Sequence, residues 1–259
     1  MRLSFGKKSA AVYASLIYLF LYVPIAILII FSFNQSKLNA VWTGFTLDWY
    51  VKLFQNDGVL EAMYTSLIVA LVSTIAATMI GTLAAVGMYR YRFRGKTALD
   101  AMLYLPIVIP EIVMGISLLI LFTQLHIPLG YFTLIAAHIT FSIPFVVVVL
   151  KARLEGFDRS MEEAAMDLGA TPWQTFYKVT LPIIAPGVIA SALLAFTLSI
   201  DDVIISFFVA GPGSATLPLK IFSMVKFGVT PEINALSTLM LIVTLAIVIV
   251  AERIRMKQH

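Results

Sequence analysis

Three carboxylates interrupt stretches that are otherwise apolar: Asp201 and Asp202, side by side, and Glu111, directly after Pro110. An ionisable side chain inside a membrane-spanning helix costs about 2.5–3.5 kcal/mol on insertion scales, so its presence calls for a function. Acids on a wall facing a pathway attract a cation and are partly neutralised by it. Asp201 and Asp202 stand about 100° apart on a helix, and Asp202 shares a face with Ser199 and Ser206. A second role is open to each acid. The Asp pair can mark a helix break where one carboxylate caps a new N-terminus, and Glu111 can satisfy backbone freed by Pro110. The reading adopted is a substrate pathway lined by Asp201, Asp202 and Glu111. Trp49, beside Asp48, can add a cation–π contact to an amine, although Trp42, Trp49 and Tyr50 also form the kind of cluster that anchors at a membrane interface. Glu232 follows Thr230-Pro231 and reads as a dipole-favoured acid in a first helical turn. His138, alone in an apolar stretch, reads as an interhelical hydrogen bonder.

These residues need spans to carry them. Of 259 residues, 60% are hydrophobic and 12% charged, which is a polytopic, all-α membrane protein and not a large soluble domain. Apolar runs place six transmembrane helices at about 10–33, 62–89, 99–123, 131–150, 183–208 and 233–251, in a single transmembrane domain over 1–259. The first uncharged run, Ser9 to Ser36, is too long and too aromatic for a cleaved leader and carries Pro24 as a kink. In the second span Ser73, Ala77, Gly81 and Ala85 recur every four residues, a stripe for close helix packing. The third is broken by Pro106 and Pro110. No Lys or Arg falls inside any span, so the lining suits a cationic or neutral solute. With no cysteine, disulfides and thiolate metal sites are excluded, and no metal site is expected. Gly95-Lys96-Thr97 mimics the end of a phosphate-binding loop, but Arg90 stands where that loop needs glycine.

The net charge of +4 lies in short loops, which argues against nucleic acid. Arg2, Lys7 and Lys8, then Arg90, Arg92, Arg94 and Lys96, then Lys151, Arg153, Arg159 and Lys178, then Arg253, Arg255 and Lys257 fall on one side. Only Lys37, Lys52, Lys220 and Lys226 fall on the other. The positive-inside rule therefore puts both termini and the polar insert 160–182 in the cytoplasm.

That insert has its own local grammar. Ser160 with Glu163 predicts a capping box and a helix from Met161, Gly169 a left-handed stop, and Thr171-Pro172 with Gln174 a second capped helix. Pro182 is expected to close the unit. Met161, Ala164, Ala165 and Leu168 recur at helical spacing and give a small apolar face suited to a partner groove. Glu163-Ala164-Ala165, Gly169, Val179 and Leu181-Pro182 reproduce, with Val for Ile, the EAA pattern of the loop that docks on the ATP-hydrolysing subunit. The chain thus resembles the permease subunits of type I ABC importers.

The resemblance narrows with Tyr89-Arg90-Tyr91-Arg92-Phe93-Arg94-Gly95-Lys96, Phe196 to Asp202 and Pro218 to Lys226, which are similar to the permeases of spermidine/putrescine importers. It implies a six-span inner-membrane subunit that pairs with a second homologous permease, two ATP-binding subunits and a periplasmic substrate-binding protein. It further implies coupling through Glu163, Ala164, Ala165, Gly169, Leu181 and Pro182, alternating access, and ATP with Mg bound only on the partner ATPases. This chain then needs no cofactor of its own, contacts membrane lipid, and is not an enzyme. The same machinery serves other solutes, such as an opine, an aminoalkylphosphonate or a metal cation. A proton-coupled secondary carrier using Asp201-Asp202 would leave the docking loop unexplained.

Overall fold

The computed structural model describes residues 2–36, 41–226 and 228–256; Lys37 and Lys257 of the charge pattern lie outside them. The described residues form α1 (Arg2–Phe31), α2 (Asp48–Gln55), α3 (Asp57–Arg90), α4 (Lys96–Val108), α5 (Glu111–Gln124), α6 (Tyr131–Leu154), α7 (Ser160–Asp167) and α8 (Pro172–Thr175). A π-helical turn, Phe176–Thr180, leads into α9 (Leu181–Ile200), α10 (Ile204–Val209), α11 (Leu217–Val225) and α12 (Pro231–Met256). The only β pairing among them is an isolated bridge between Asn34 and Phe45. Two compact units emerge, Met1–Leu60 with Ile221–Leu245 and Glu61–Lys220 with Ala246–His259.

In the first unit Asn34 organises the segment after α1. Its side chain donates to the Val41 carbonyl (2.9 Å) and accepts from the Thr43 N–H (3.0 Å), while its own carbonyl takes the Trp49 indole N–H (2.8 Å). Phe33 stacks on Phe45, and Ser32 shares a 2.7 Å hydrogen bond with Tyr50. α12 starts at Pro231 as its sequence demands, and Glu232 accepts from the Asn56 amide at 3.0 Å.

In the second unit the small-residue stripe of α3 is buried, and a Cβ added at Gly81 would lie 2.6 Å from Val146 of α6. Only glycine permits that approach. One apolar cluster joins Ala85, Val86, Val146, Leu150, Phe157, Phe176 and Ile184; another joins Val69, Phe122, Leu134, Phe141, Ile205 and Val209.

Four helical stretches are long and apolar enough to cross a membrane: Ala10–Phe31, Asp57–Arg90, Tyr131–Leu154 and Pro172–Ile200. α4 and α5 qualify together but meet at 109°. The break falls at Ile109-Pro110 and not at Pro106, which stays within α4. Ile109 is extended (φ −70°, ψ 134°), as crowding by the next proline ring requires. The apolar stretch of α12, Pro231–Ala246, is shorter than a full span among the described residues.

Two further expectations are corrected. The span expected at 183–208 is interrupted: α9 stops at Ile200 and α10 starts at Ile204. Pro182 does not close the insert, because helix runs continuously from Pro172 to Ile200. Proline leaves the carbonyl four residues back without a donor, and the helix widens to a π turn just before it, where the Leu181 N–H reaches the Phe176 carbonyl.

Candidate functional site

The insert is built by its caps. The Asp158 side chain, and not a Ser160–Glu163 box, starts α7 by accepting from the Ser160 N–H at 2.9 Å. That backbone hydrogen bond, with a further bond from the Ser160 side chain, holds the exposed Asp158 carboxyl below its ordinary pKa. Helix α7 ends as predicted: Gly169 takes φ +90°, its N–H reaches the Met166 carbonyl (2.9 Å), and the Ala170 N–H reaches Ala165 (3.0 Å). These two bonds are the Schellman closure. Thr171 and Gln174 then form the second capping box, with 2.9 and 3.3 Å bonds and Pro172 at the first position.

The caps fix what faces outward. Met161, Glu163, Ala164, Met166, Leu168 (90% exposed), Gly169, Trp173, Tyr177 and Pro182 are exposed, whereas Ala165 and Leu181 are half-buried. An apolar strip flanked by the exposed carboxylates of Glu163 and Asp167 is therefore left uncovered by this chain. Glu162 points the other way. It is 7% exposed and forms a bidentate ion pair with Arg90 at the end of α3. Sequence reasoning missed Glu162, Arg90 and Thr180. The available signal was that adjacent acids on one helix stand about 100° apart, so only one of Glu162 and Glu163 can share the outward strip.

The acidic residues meet around the helix break. Asp202, 9% exposed, caps α10: Oδ1 accepts from the Ile205 N–H (3.1 Å), and Oδ2 accepts from the Ser206 N–H and hydroxyl (both 2.8 Å). The capping role set beside the pathway role is thus the one that its contacts display. Because the Ser206 hydroxyl donates to Asp202, it accepts from His138 Nε2 at 3.1 Å; His138 Nδ1 pairs with Ser199 (2.7 Å), and Ser199 with Ser73 (3.1 Å). His138 is the interhelical hydrogen bonder expected, joining α3, α9, α6 and α10. Asp201, at the end of α9, and Glu111, at the start of α5, are exposed. α5 packs closely on α10, where a Cβ added at Gly115 would lie 2.6 Å from the Phe208 ring, so Glu111 and the Asp pair belong to neighbouring helices. Trp49 has contacts of another kind: it is 7% exposed, its N–H is engaged by Asn34, and the Lys52 ammonium sits 4.5 Å over its ring. These contacts make Trp49 a loop anchor. Among the described residues no group of three or more His, Asp or Glu is arranged to hold a metal ion.

A family model described as "Binding-protein-dependent transport system inner membrane component" matches residues 77–255, the stretch holding the insert and all three acids. The chain belongs to that family. It is a multi-pass inner-membrane transport subunit and not an enzyme. The permease is 51% identical over 249 residues to the spermidine/putrescine transport system permease protein PotC of Escherichia coli (strain K12), covering 96% of this chain and 94% of that protein. It is 48% identical over 229 residues to the putrescine transport system permease protein PotI of the same strain, covering 86% and 82%. Among solved structures it superimposes on a bacterial ABC transporter involved in import of the acidic polysaccharide alginate, with TM-score 0.79 and 14% identity over 96% of each chain. At that identity the likeness shows the fold alone.

Proposed function

We propose that this permease subunit imports polyamines, spermidine or putrescine, through an ATP-driven assembly. The observation that carries the substrate class is the pair of carboxylates Asp201 and Glu111, uncovered by this chain at the end of α9 and the start of α5, two helices that hold no Lys or Arg. A polyamine presents several ammonium groups, and each finds a charge-assisted acceptor at such carboxylates. The likeness to PotC and PotI, named for these solutes, supports the same reading. Asp202 contributes by holding the break that presents Asp201 and by adding negative charge behind it.

The complete assembly has a second homologous permease, two ATP-binding subunits carrying ATP and Mg, and a periplasmic binding protein. The chain crosses the membrane six times with both termini cytoplasmic, the bent α4–α5 pair and α12 counting as spans. ATP binding draws the docking inserts together, and the spans exchange inward-open and outward-open states. The strip of Met161, Ala164 and Leu168 seats in the ATPase groove, and Glu163 and the Gly169 turn set its angle. The test is to purify the partner binding protein with its bound solute, and to titrate it with spermidine, putrescine, an opine and an aminoalkylphosphonate. Tight binding of a polyamine supports the reading; binding of only the other solutes rejects it.

A further inference from the structure

The docking helix α7 is tied to a membrane span through a closed ring of three side chains. Arg90 Nε lies 3.1 Å from both Glu162 oxygens, and Arg90 Nη2 lies 2.5 Å from Oε1. The same Nη2 donates to the Thr180 hydroxyl at 2.7 Å, and that hydroxyl donates to Glu162 Oε1 at 2.5 Å. Each residue comes from a different element: the end of α3, the first turn of α7, and the last residue of the π turn. The ring is enclosed, with Thr180 at 1% exposure and the guanidinium 5.9 Å over the Phe176 ring. Tyr89, the preceding residue, holds the entry to the insert. Its hydroxyl donates to the Phe157 carbonyl at 3.0 Å, its carbonyl accepts from Arg159, and the Arg159 guanidinium lies 4.6 Å over its ring.

Burying an ion pair is a poor way to gain stability, since desolvation costs several kcal/mol per ion and apolar residues of similar volume do as well. What a bidentate fork supplies is fixed orientation. Here it fixes α7 to α3, an uninterrupted helix that also carries Ser73. Ser73 lies about 25 Å up that helix by its rise per residue. There it bonds to Ser199, which bonds to His138 beside the Asp202 cap. We propose that Arg90, Glu162 and Thr180 form the joint through which movement of the docked insert is passed to α3, and along it to the acidic break. This rests on the docking reading above. The three are positioning residues: they touch neither nucleotide nor solute, and they hold α7 at one angle to the span.

The experiment uses the full complex in proteoliposomes, with Arg90→Glu, Glu162→Arg and the double reversal. The Thr180 hydroxyl both donates and accepts, so it suits either polarity. Each single reversal is expected to leave the ATPase subunits co-purifying and basal hydrolysis intact, while lowering uptake per ATP by roughly tenfold, within the range of coupling residues. The double reversal is expected to recover most of it. Normal uptake per ATP in the single reversals, or a double reversal no better than the singles, overturns the joint. Should the reversals fail to accumulate, Arg90→Lys and Thr180→Val carry the same readout, because they remove the fork and the bridging hydroxyl while changing no charge. Unchanged uptake per ATP in both is equally fatal. Leu168→Asp on the outward strip separates the two ideas. If it keeps both ATPase binding and transport, the docking reading falls; if it loses ATPase binding, docking stands whatever the joint variants do.

Discussion

Asp202 and Ser206 are joined twice, because the Ser206 backbone N–H and its hydroxyl both donate to Asp202 Oδ2 at 2.8 Å. That pairing turns an acidic doublet in an apolar span into a helix break with a built cap. It also divides the labour of the doublet. Asp202 faces inward to hold the backbone, and Asp201 is left uncovered at the end of α9.

Replacing Asp202 by Ala should therefore act on the fold. The change leaves the Ile205 and Ser206 N–H groups and the Ser206 hydroxyl without their acceptor, at about 1–3 kcal/mol for each buried group. Membrane abundance and melting temperature in detergent should fall, and less so in Asp202→Asn, which keeps an acceptor. Full abundance and an unchanged melting temperature in Asp202→Ala would refute the capping role.

Asp201→Asn and Glu111→Gln should act on transport instead. Each keeps its shape and loses its charge, and neither caps α10. Loss of a charge-assisted bond to a substrate amine costs about 1.5–3 kcal/mol, so uptake efficiency should drop roughly ten- to a hundredfold at normal abundance. Near-normal polyamine uptake by the well-expressed double variant would remove the carboxylates from the pathway.

Gly169→Val tests the turn. At φ +90° no neighbouring atom lies within 4 Å of an added Cβ, so the obstacle is the backbone conformation itself. A β-branched residue resists the left-handed region, at a cost of about 1–2 kcal/mol or more. Insertion into the membrane should persist while solute-stimulated ATP hydrolysis of the assembled complex is lost. Wild-type stimulation would contradict a coupling role for this turn.

The insert was legible because its signals are local. Thr171, Pro172, Gln174 and Gly169 act within four residues of themselves, and the structure places each as its chemistry demands. The Pro110 break was legible for the same reason. What the sequence concealed depends on partners far along the chain. Arg90 reads as one more cytoplasmic charge until Glu162, 72 positions away, closes on it. Asp202 reads from its apolar surroundings as pathway in preference to cap, and it is its fit beneath Ser206 and beside His138 that displays the cap. Pro182 reads as a stop, yet a widened turn upstream absorbs it, a compensation that residue preference alone does not reveal.

Orientation follows from single cysteines, since the parent has none. Ser160 at the start of α7 and Gln124 at the end of α5 are both exposed. An impermeant thiol reagent added to spheroplasts should label Gln124→Cys at once, and Ser160→Cys only after the membrane is opened. Labelling of Ser160→Cys in sealed spheroplasts would reverse the topology.

The central claim, ATP-driven polyamine import, is tested most directly in proteoliposomes holding this permease with its partner permease and ATPase subunits, and with the binding protein on the outside. With ATP and Mg enclosed, labelled spermidine or putrescine should accumulate against its gradient, and uptake should persist when an uncoupler collapses any proton gradient and cease when a non-hydrolysable nucleotide replaces ATP. Accumulation of another solute alone, or polyamine uptake driven by a proton gradient without ATP, would contradict it.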